Sequence, residues 1–326
     1  MIPKYISDWL LIIEQMNNDN TYKLAWGRAI IECVSMNDYI DLNDNIEIPF
    51  DNISLKMIKY YWNQMFFFNL KQSPYKYKNP VICNDVDKLI EEYKKITESN
   101  IPVWFNEGIE VIIKNNKPLY NNIVKHVSKT LHENVCWRFK MVNKESIEIY
   151  EYSKSVGSKI ILNKDNAKLL KSEEYGIVIS KLLNYKCTQL LEKFNFAPKI
   201  ATKVNGISEN KLRRNSLQKY KEILLKEHNG VAIDFYTGKE LDDNDISVDH
   251  VIPWSFMYSD DIWNLVLTSK SYNSSKSNSV PQTEIIEKLK IRNEQLIEIV
   301  DGKFKDDLKL AIDNGYVDKF YYDCRL

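Results

Sequence analysis

A chain of 326 residues, 44% of them hydrophobic, can bury a sizeable core and is long enough for two or three structural units. Its 45 basic residues balance 45 acidic ones, so bulk charge announces no nucleic-acid partner; five scattered cysteines, with no Cys-x-x-Cys pair, indicate neither a disulfide framework nor a zinc ribbon. The longest early apolar run, Trp9 to Ile13, is bracketed by Asp8 and Glu14 and is far too short for a membrane span or a signal peptide, which predicts a cytoplasmic protein without membrane contact.

In chain order, apolar residues recur at three- and four-residue spacings near Tyr5–Met16, Tyr22–Val34, Ser54–Leu70 and Asp85–Thr97. That spacing predicts four amphipathic helices, with Ser54 and Asp85 as caps. The aromatic run Tyr60 to Phe68 has a helical period and is too apolar to stay exposed, so it belongs to the core. A turn-rich loop follows at 71–79, where Lys71, Lys76 and Lys78 interleave with Tyr75 and Tyr77, a composition suited to DNA phosphates and bases. The next region is helical and holds His126 and His132. Six residues apart, they do not share a face, and no cluster of Cys or carboxylates completes a metal site, so both read as structural or exposed.

After about residue 132 the period shortens to two. "VCWRFKMV" and "SIEIYEY" alternate around Asn143-Lys144-Glu145, and "SKIILN" follows Gly157, which predicts a small antiparallel meander. A helix pattern resumes over Glu173–Phe194, and Pro198 breaks it. From Lys199 to Asn229 eight Lys and Arg face three Glu, with a helix over Lys211–Glu227 that carries Arg213 and Arg214 as candidate DNA-phosphate contacts. His228 closes that helix, where a cation suits the C-terminus. Asn229-Gly230 then leads into "VAIDFYTGKEL", whose Thr237-Gly238 supplies a turn between two short strands.

The stretch "DISVDHVIPWSFMYSDDIWNLVLTSKSYNSSKSNSVP", residues 245–281, holds the chemistry. Ile246 and Val248 alternate with Asp245 and Ser247 and run into Asp249-His250, and Pro253, which cannot donate to a ladder, closes the strand. A loop through Asp260-Asp261 follows, then Asn264, a second strand at Leu265-Val266-Leu267, and a polar helix holding Asn273 and Lys276.

This order and spacing, over about residues 230–281, resembles the HNH nuclease family with its ββα-metal finger. It is most similar to the HNH domains of CRISPR RNA-guided DNA nucleases and of HNH restriction endonucleases. The resemblance implies hydrolysis of DNA phosphodiester bonds, with His250 taking the proton of the attacking water; a neutral imidazole of pKa ~6.5 can do so at cellular pH. It also implies Asp249 and Asn273 as metal ligands, two hard oxygens that suit Mg²⁺, with Mn²⁺ as a substitute. Asn264 matches the middle Asn, which steadies the loop and positions the base. Lys276, three residues after Asn273, shares its helix face and can bring an ammonium to the same phosphate. One departure is that "FYTG", Phe235 to Gly238, stands where a zinc-binding Cys-x-x-Cys pair is frequent, and Tyr272 stands where another cysteine is frequent. Packing by Phe235, Tyr236 and Tyr272 is expected to replace a structural zinc.

The expected architecture is mainly α with a small β meander and a C-terminal ββα-metal finger. Its parts are a helical region at 1–131 for recognition, partner contact or regulation, a meander with a helix at 132–200, and the nuclease domain at 201–326. Residues 1–200 resemble the upstream helical regions attached to HNH restriction-type nucleases, "NTYKLAWGRAII" included. The expected function is a metal-dependent DNA endonuclease of restriction or anti-phage defence, acting as a homodimer, with a companion defence protein as a further partner. A nicking, homing-type or partner-controlled nuclease is one alternative. A non-catalytic DNA-binding module on a degenerate finger is the other, and the intact Asp249, His250 and Asn273 argue against it.

Overall fold

A computed structural model describes residues 2–74, 79–152, 159–205 and 216–325. The chain divides into two compact units, one mainly Met1–Ser99 and Val103–Asn195, the other mainly Ser208–Leu326. It is mainly α, with small sheets and a ββα finger in the second unit.

In the first unit the apolar stripes of Lys4–Gln15, Tyr22–Met36, Phe50–Trp62, Val81–Thr97, Phe105–Asn134 and Gly176–Glu192 face a common interior. Trp9, Trp26, Phe50, Tyr61, Trp62, Phe68 and Phe139 are fully buried there, each contributing roughly 2–3 kcal/mol by leaving water. Most buried indoles also find a partner for the N–H. Trp26 Nε1 donates to Tyr150 Oη at 2.9 Å, and that hydroxyl donates to the Cys136 carbonyl at 2.5 Å. The aromatic run lies in this core as expected, and Phe67 stacks on Trp104 at 4.0 Å between ring centroids.

Several local expectations give way to the packing. Ser54 and Asp85 are not caps but buried helical residues, and Pro49 and Pro80 precede their helices, where no backbone donor is required. The helix expected to reach Leu70 ends at Trp62 and continues as a π-turn over Asn63–Phe67, because three consecutive phenylalanines cannot all face inward at a 3.6-residue period. "VCWRFKMV" is not a strand: Cys136–Phe139 is a helical turn that buries Val135, Cys136 and Phe139 and exposes Trp137, and only Met141–Val142 is extended. Nor do the strands after residue 132 form a part of their own. Lys159–Asn163 pairs antiparallel with Asn45–Pro49, a strand from the helical region that the sequence reading missed, in a four-stranded sheet. Apart from Asn100–Pro102 and Phe196–Lys199, residues 1–131 and 132–200 therefore fall in one unit. The basic aromatic loop residues Tyr75, Lys76, Tyr77 and Lys78 lie outside the described residues.

The second unit gathers Leu224, Val251, Ile252, Phe256, Leu265, Leu289, Leu296 and Leu308 into its core. Of the helix expected over Lys211–Glu227, Gln218–Leu224 is α-helical and Leu225–His228 is a 3₁₀ turn, while residues 211–215 lie outside the described residues. The two short strands expected around Thr237-Gly238 reduce to a single bridge between Ile233 and Glu240. Three helices, Thr283–Leu296, Gly302–Asp313 and Tyr316–Arg325, complete the unit. Among the described residues no helix is long and apolar enough to cross a membrane.

Candidate active site

The finger begins with strand Ile246–His250, paired antiparallel with Leu265–Ser269 so that Asp249 faces Val266 and His250 faces Leu265 in register. The helix Lys270–Lys276 follows at once, its first turn capped by Ser269 Oγ accepting from Tyr272 N at 3.1 Å. Such a short hairpin and helix need fixing from outside, and three side chains supply it. Asp234 Oδ1 accepts from the backbone N–H groups of Tyr236 and Thr237, and Oδ2 from Thr268 Oγ1 and Ser269 N. From the C-terminal side, Asn293 Nδ2 donates to the Trp263 carbonyl at 2.9 Å, and the buried Arg292 guanidinium donates to the carbonyls of Ile262 and Leu265.

Asn264 is completely buried and closes the loop between the strands. Its Oδ1 accepts from Ile252 N at 2.8 Å, its Nδ2 donates to Ile252 O at 2.9 Å, and its own carbonyl accepts from Val251 N. Both ends of the amide thus meet the N–H and C=O of one residue, as a strand neighbour would. The residue lies behind the site, where it fixes the chain leaving His250.

Asp249, His250 and Asn273 line one polar cavity of about 330 Å³, together with Trp254 and Asp260. Asn273 uses Nδ2 to reach Ser247 Oγ at 2.7 Å and Val248 O at 3.3 Å, and its Oδ1 has no hydrogen bond among the described residues. Asp249 Oδ2 accepts from Tyr236 Oη at 2.5 Å and sits 3.1 Å from Lys276 Nζ, and its Oδ1 likewise has no partner among the described residues. His250 Nε2 lies 2.9 Å from Asp260 Oδ1, and its Nδ1 has no partner among the described residues.

Two residues behave differently from expectation. Lys276 is not turned to solvent for a phosphate: its side chain is 7% exposed, and the ammonium donates to the His250 carbonyl at 2.7 Å beside the Asp249 carboxylate. A buried cation is stable only when paired in this way. Tyr236 does more than fill the place of a zinc brace. It stacks on Tyr272 at 4.4 Å, and burial together with the Asp249 charge holds its phenol far above the ordinary range, so it stays a proton donor to that carboxylate. The sequence reading missed Asp260 as a site residue, although the carboxylate pair Asp260-Asp261 stands ten residues after the imidazole. Arg213 and Arg214 lie outside the described residues.

The other histidines are accounted for elsewhere. His126 Nδ1 is 2.5 Å from the buried Asp85 carboxylate, His132 packs edge-on against Phe50 and Tyr152, and His228 ends a 3₁₀ turn before Asn229.

The donor set fits a hard divalent cation. Asp249 Oδ1 and Asn273 Oδ1 are oxygens with no competing hydrogen bond, and no cluster of three or more His, Cys, Asp or Glu stands among the described residues, so water and phosphate would complete the shell. Open positions are what a catalytic ion needs.

A ββα finger with an aspartate-histidine strand end and a helix-borne asparagine is the arrangement of an HNH endonuclease domain, and the HNH endonuclease family profile matches residues 234–282. Residues 10–185, more than half of the chain, match the domain of unknown function DUF8808, and the chain belongs to that family. The CRISPR-associated endonuclease Cas9 of Listeria innocua is 43% identical over 68 residues, covering 20% of this chain and 5% of that protein. That of Streptococcus mutans is 35% identical over 118 residues, covering 34% of this chain and 9% of that protein. The chain thus spans less than a tenth of these relatives. No solved structure matches it. HNH endonucleases generally use divalent metal ions.

Proposed function

We propose that the protein is a Mg²⁺-dependent DNA endonuclease of restriction or anti-phage defence, with Mn²⁺ able to substitute. The observation that carries this reading is the convergence of Asp249, His250 and Asn273 on one cavity, with two ligand oxygens and one imidazole nitrogen unengaged. His250 Nδ1 takes a proton from water as the water oxygen bonds to phosphorus. The P–O3′ bond breaks, and the leaving 3′-oxygen takes its proton from solvent. A divalent ion held by Asp249 and Asn273 would neutralise charge on the scissile phosphate. Tyr236 and Lys276 fix the Asp249 carboxylate from behind, and Asn264 fixes the backbone beyond His250. The defence setting rests on likeness to HNH restriction enzymes and CRISPR nucleases, which is analogy.

Supercoiled plasmid incubated with the protein and Mg²⁺ should be cut, and EDTA should stop the reaction. His250→Ala should lose cleavage, keep DNA binding, and gain nothing from more metal. Asn273→Ala should raise the Mg²⁺ concentration needed for half-maximal rate, about 10–100-fold as for losses in a sparse coordination shell. Full cleavage by the histidine variant, or unchanged metal dependence in the asparagine variant, would remove that residue from its role. Asp249→Ala should raise the metal requirement too, but it also strands the buried Lys276 ammonium, so its thermal stability must be measured alongside.

A further inference from the structure

We propose that Asp260 is the positioning residue of the proton-accepting imidazole: its carboxylate selects the tautomer and ring orientation of His250. The proposal rests on the nuclease reading above and adds to it a residue outside the Asp-His, Asn and Asn positions.

An ionised carboxylate only accepts hydrogen bonds, so the imidazole nitrogen 2.9 Å from Asp260 Oδ1, Nε2, carries the proton. A neutral imidazole has one N–H, and the lone pair is then on Nδ1, the nitrogen without a partner among the described residues. Left to itself the ring would distribute over both tautomers and could flip about χ2; only one of these arrangements presents a basic nitrogen to a water in the cavity. The same carboxylate also steadies the imidazolium formed once Nδ1 has taken the water's proton.

The carboxylate is built into place. The loop that bears it is tied on one side by Tyr220 Oη, which donates to the Asp260 carbonyl at 2.5 Å, and on the other by Asn264 N, which donates to the Asp261 carbonyl at 2.9 Å. Ser259 Oγ reaches the Asp261 carboxylate, which leaves Asp260 as the acid turned to the histidine. The His250 and Asp260 side chains are 9% and 13% exposed, so water competes weakly for their bond.

The test combines rate with a direct reading of the tautomer in the full-length protein. Asp260→Ala and Asp260→Asn would be compared with the unaltered chain on supercoiled plasmid, under single-turnover conditions with saturating protein and Mg²⁺. The rate of cutting should fall about 10–100-fold or more in both, the range for losing the partner of an essential imidazole. Plasmid affinity and the Mg²⁺ concentration for half-maximal rate should move less than about threefold. With only four histidines, ¹⁵N-histidine labelling resolves His250, assigned by its loss in His250→Ala. At about pH 8, where an ordinary imidazole is neutral, the unaltered protein should show Nε2–H with Nδ1 unprotonated, and Asp260→Ala a mixture of both forms. Rates within about twofold of the unaltered protein in either variant would overturn the proposal, as would slowed variants that keep the Nε2–H form. If the alanine variant does not fold, by thermal unfolding, the asparagine variant decides. The tautomer reading judges Asp260 even if no plasmid is cut, whereas failure of the unaltered protein to cut would count against the nuclease reading alone.

Discussion

Asp234 shows how one side chain can hold a finger that has no cysteines at its base. Burial alone would raise its pKa, but backbone N–H groups of Thr237 and Ser269 and the Thr268 hydroxyl outweigh that, and the net direction is down. A carboxyl depressed in the folded state contributes stability that is fully present above its unfolded pKa of ~3.9 and is lost as pH falls through the lower folded value. Asp234→Asn should therefore cost about 2–4 kcal/mol at neutral pH, since donors left unpaired in a buried turn carry the penalty. Its deficit should shrink below about pH 3.5. Urea unfolding at pH 7 and at the acid end measures both, and a constant deficit across that range would refute the assignment. Tyr236, Thr237 and Thr268 are ordinary residues in the sequence. Their convergence on Asp234 depends on side-chain distances across the hairpin, which no local pattern encodes.

Helices with clean amphipathic spacing were legible in the sequence; the first two lie at Lys4–Gln15 and Tyr22–Met36, within two residues of their expected bounds at each end. Elements whose period is set by a distant neighbour were not. Asn45–Pro49 becomes a strand because Lys159–Asn163 comes to lie beside it, and Cys136–Phe139 becomes a turn of helix because Val135 and Cys136, four and three residues before Phe139, face inward with it. Close approach between helices is hidden in the same way. Gly108, inside Phe105–Asn134, leaves room for the Trp62 indole, and a Cβ there would overlap Trp62 Cζ2 and Cη2. That indole is fully buried and its Nε1 is committed to the Val103 carbonyl at 3.0 Å, so it cannot swing aside freely. Gly108→Ala should destabilise the protein by about 1–3 kcal/mol despite the better helix propensity of alanine. Thermal unfolding at or above the melting temperature of the unaltered protein would contradict this account.

Across the whole molecule, one HNH constellation lies among the described residues, and two antiparallel DNA strands demand two hydrolyses. If the chain acts as a restriction-type enzyme, a twofold dimer places the two sites symmetrically. Light scattering should then give twice the mass of the chain, and plasmid should go to linear product without a lasting nicked intermediate. A monomer that accumulates nicked circles would instead favour a nicking enzyme or a partner-controlled subunit. At this scale the meeting of Asp249, His250 and Asn273 at one cavity, with Asn264 behind it, was legible from spacing along about 25 residues. The approach of Asp260 to His250 and of the Tyr236 hydroxyl to Asp249 was not, because both contacts exist only once the loops have folded.

The contacts of Arg292 and Asn293 set the true length of the catalytic module as a heritable piece. The family profile ends at residue 282, and every side chain placed at the cavity lies before that point. Yet the carbonyls of Ile262, Trp263 and Leu265, which carry the loop back into the second strand, are held from beyond it. A recombination event that joined this finger to a new partner after residue 282 would transmit all the chemistry and none of that support. One that broke after residue 293 would transmit both, so the exchangeable cassette is longer than the sequence signature by which it is recognised.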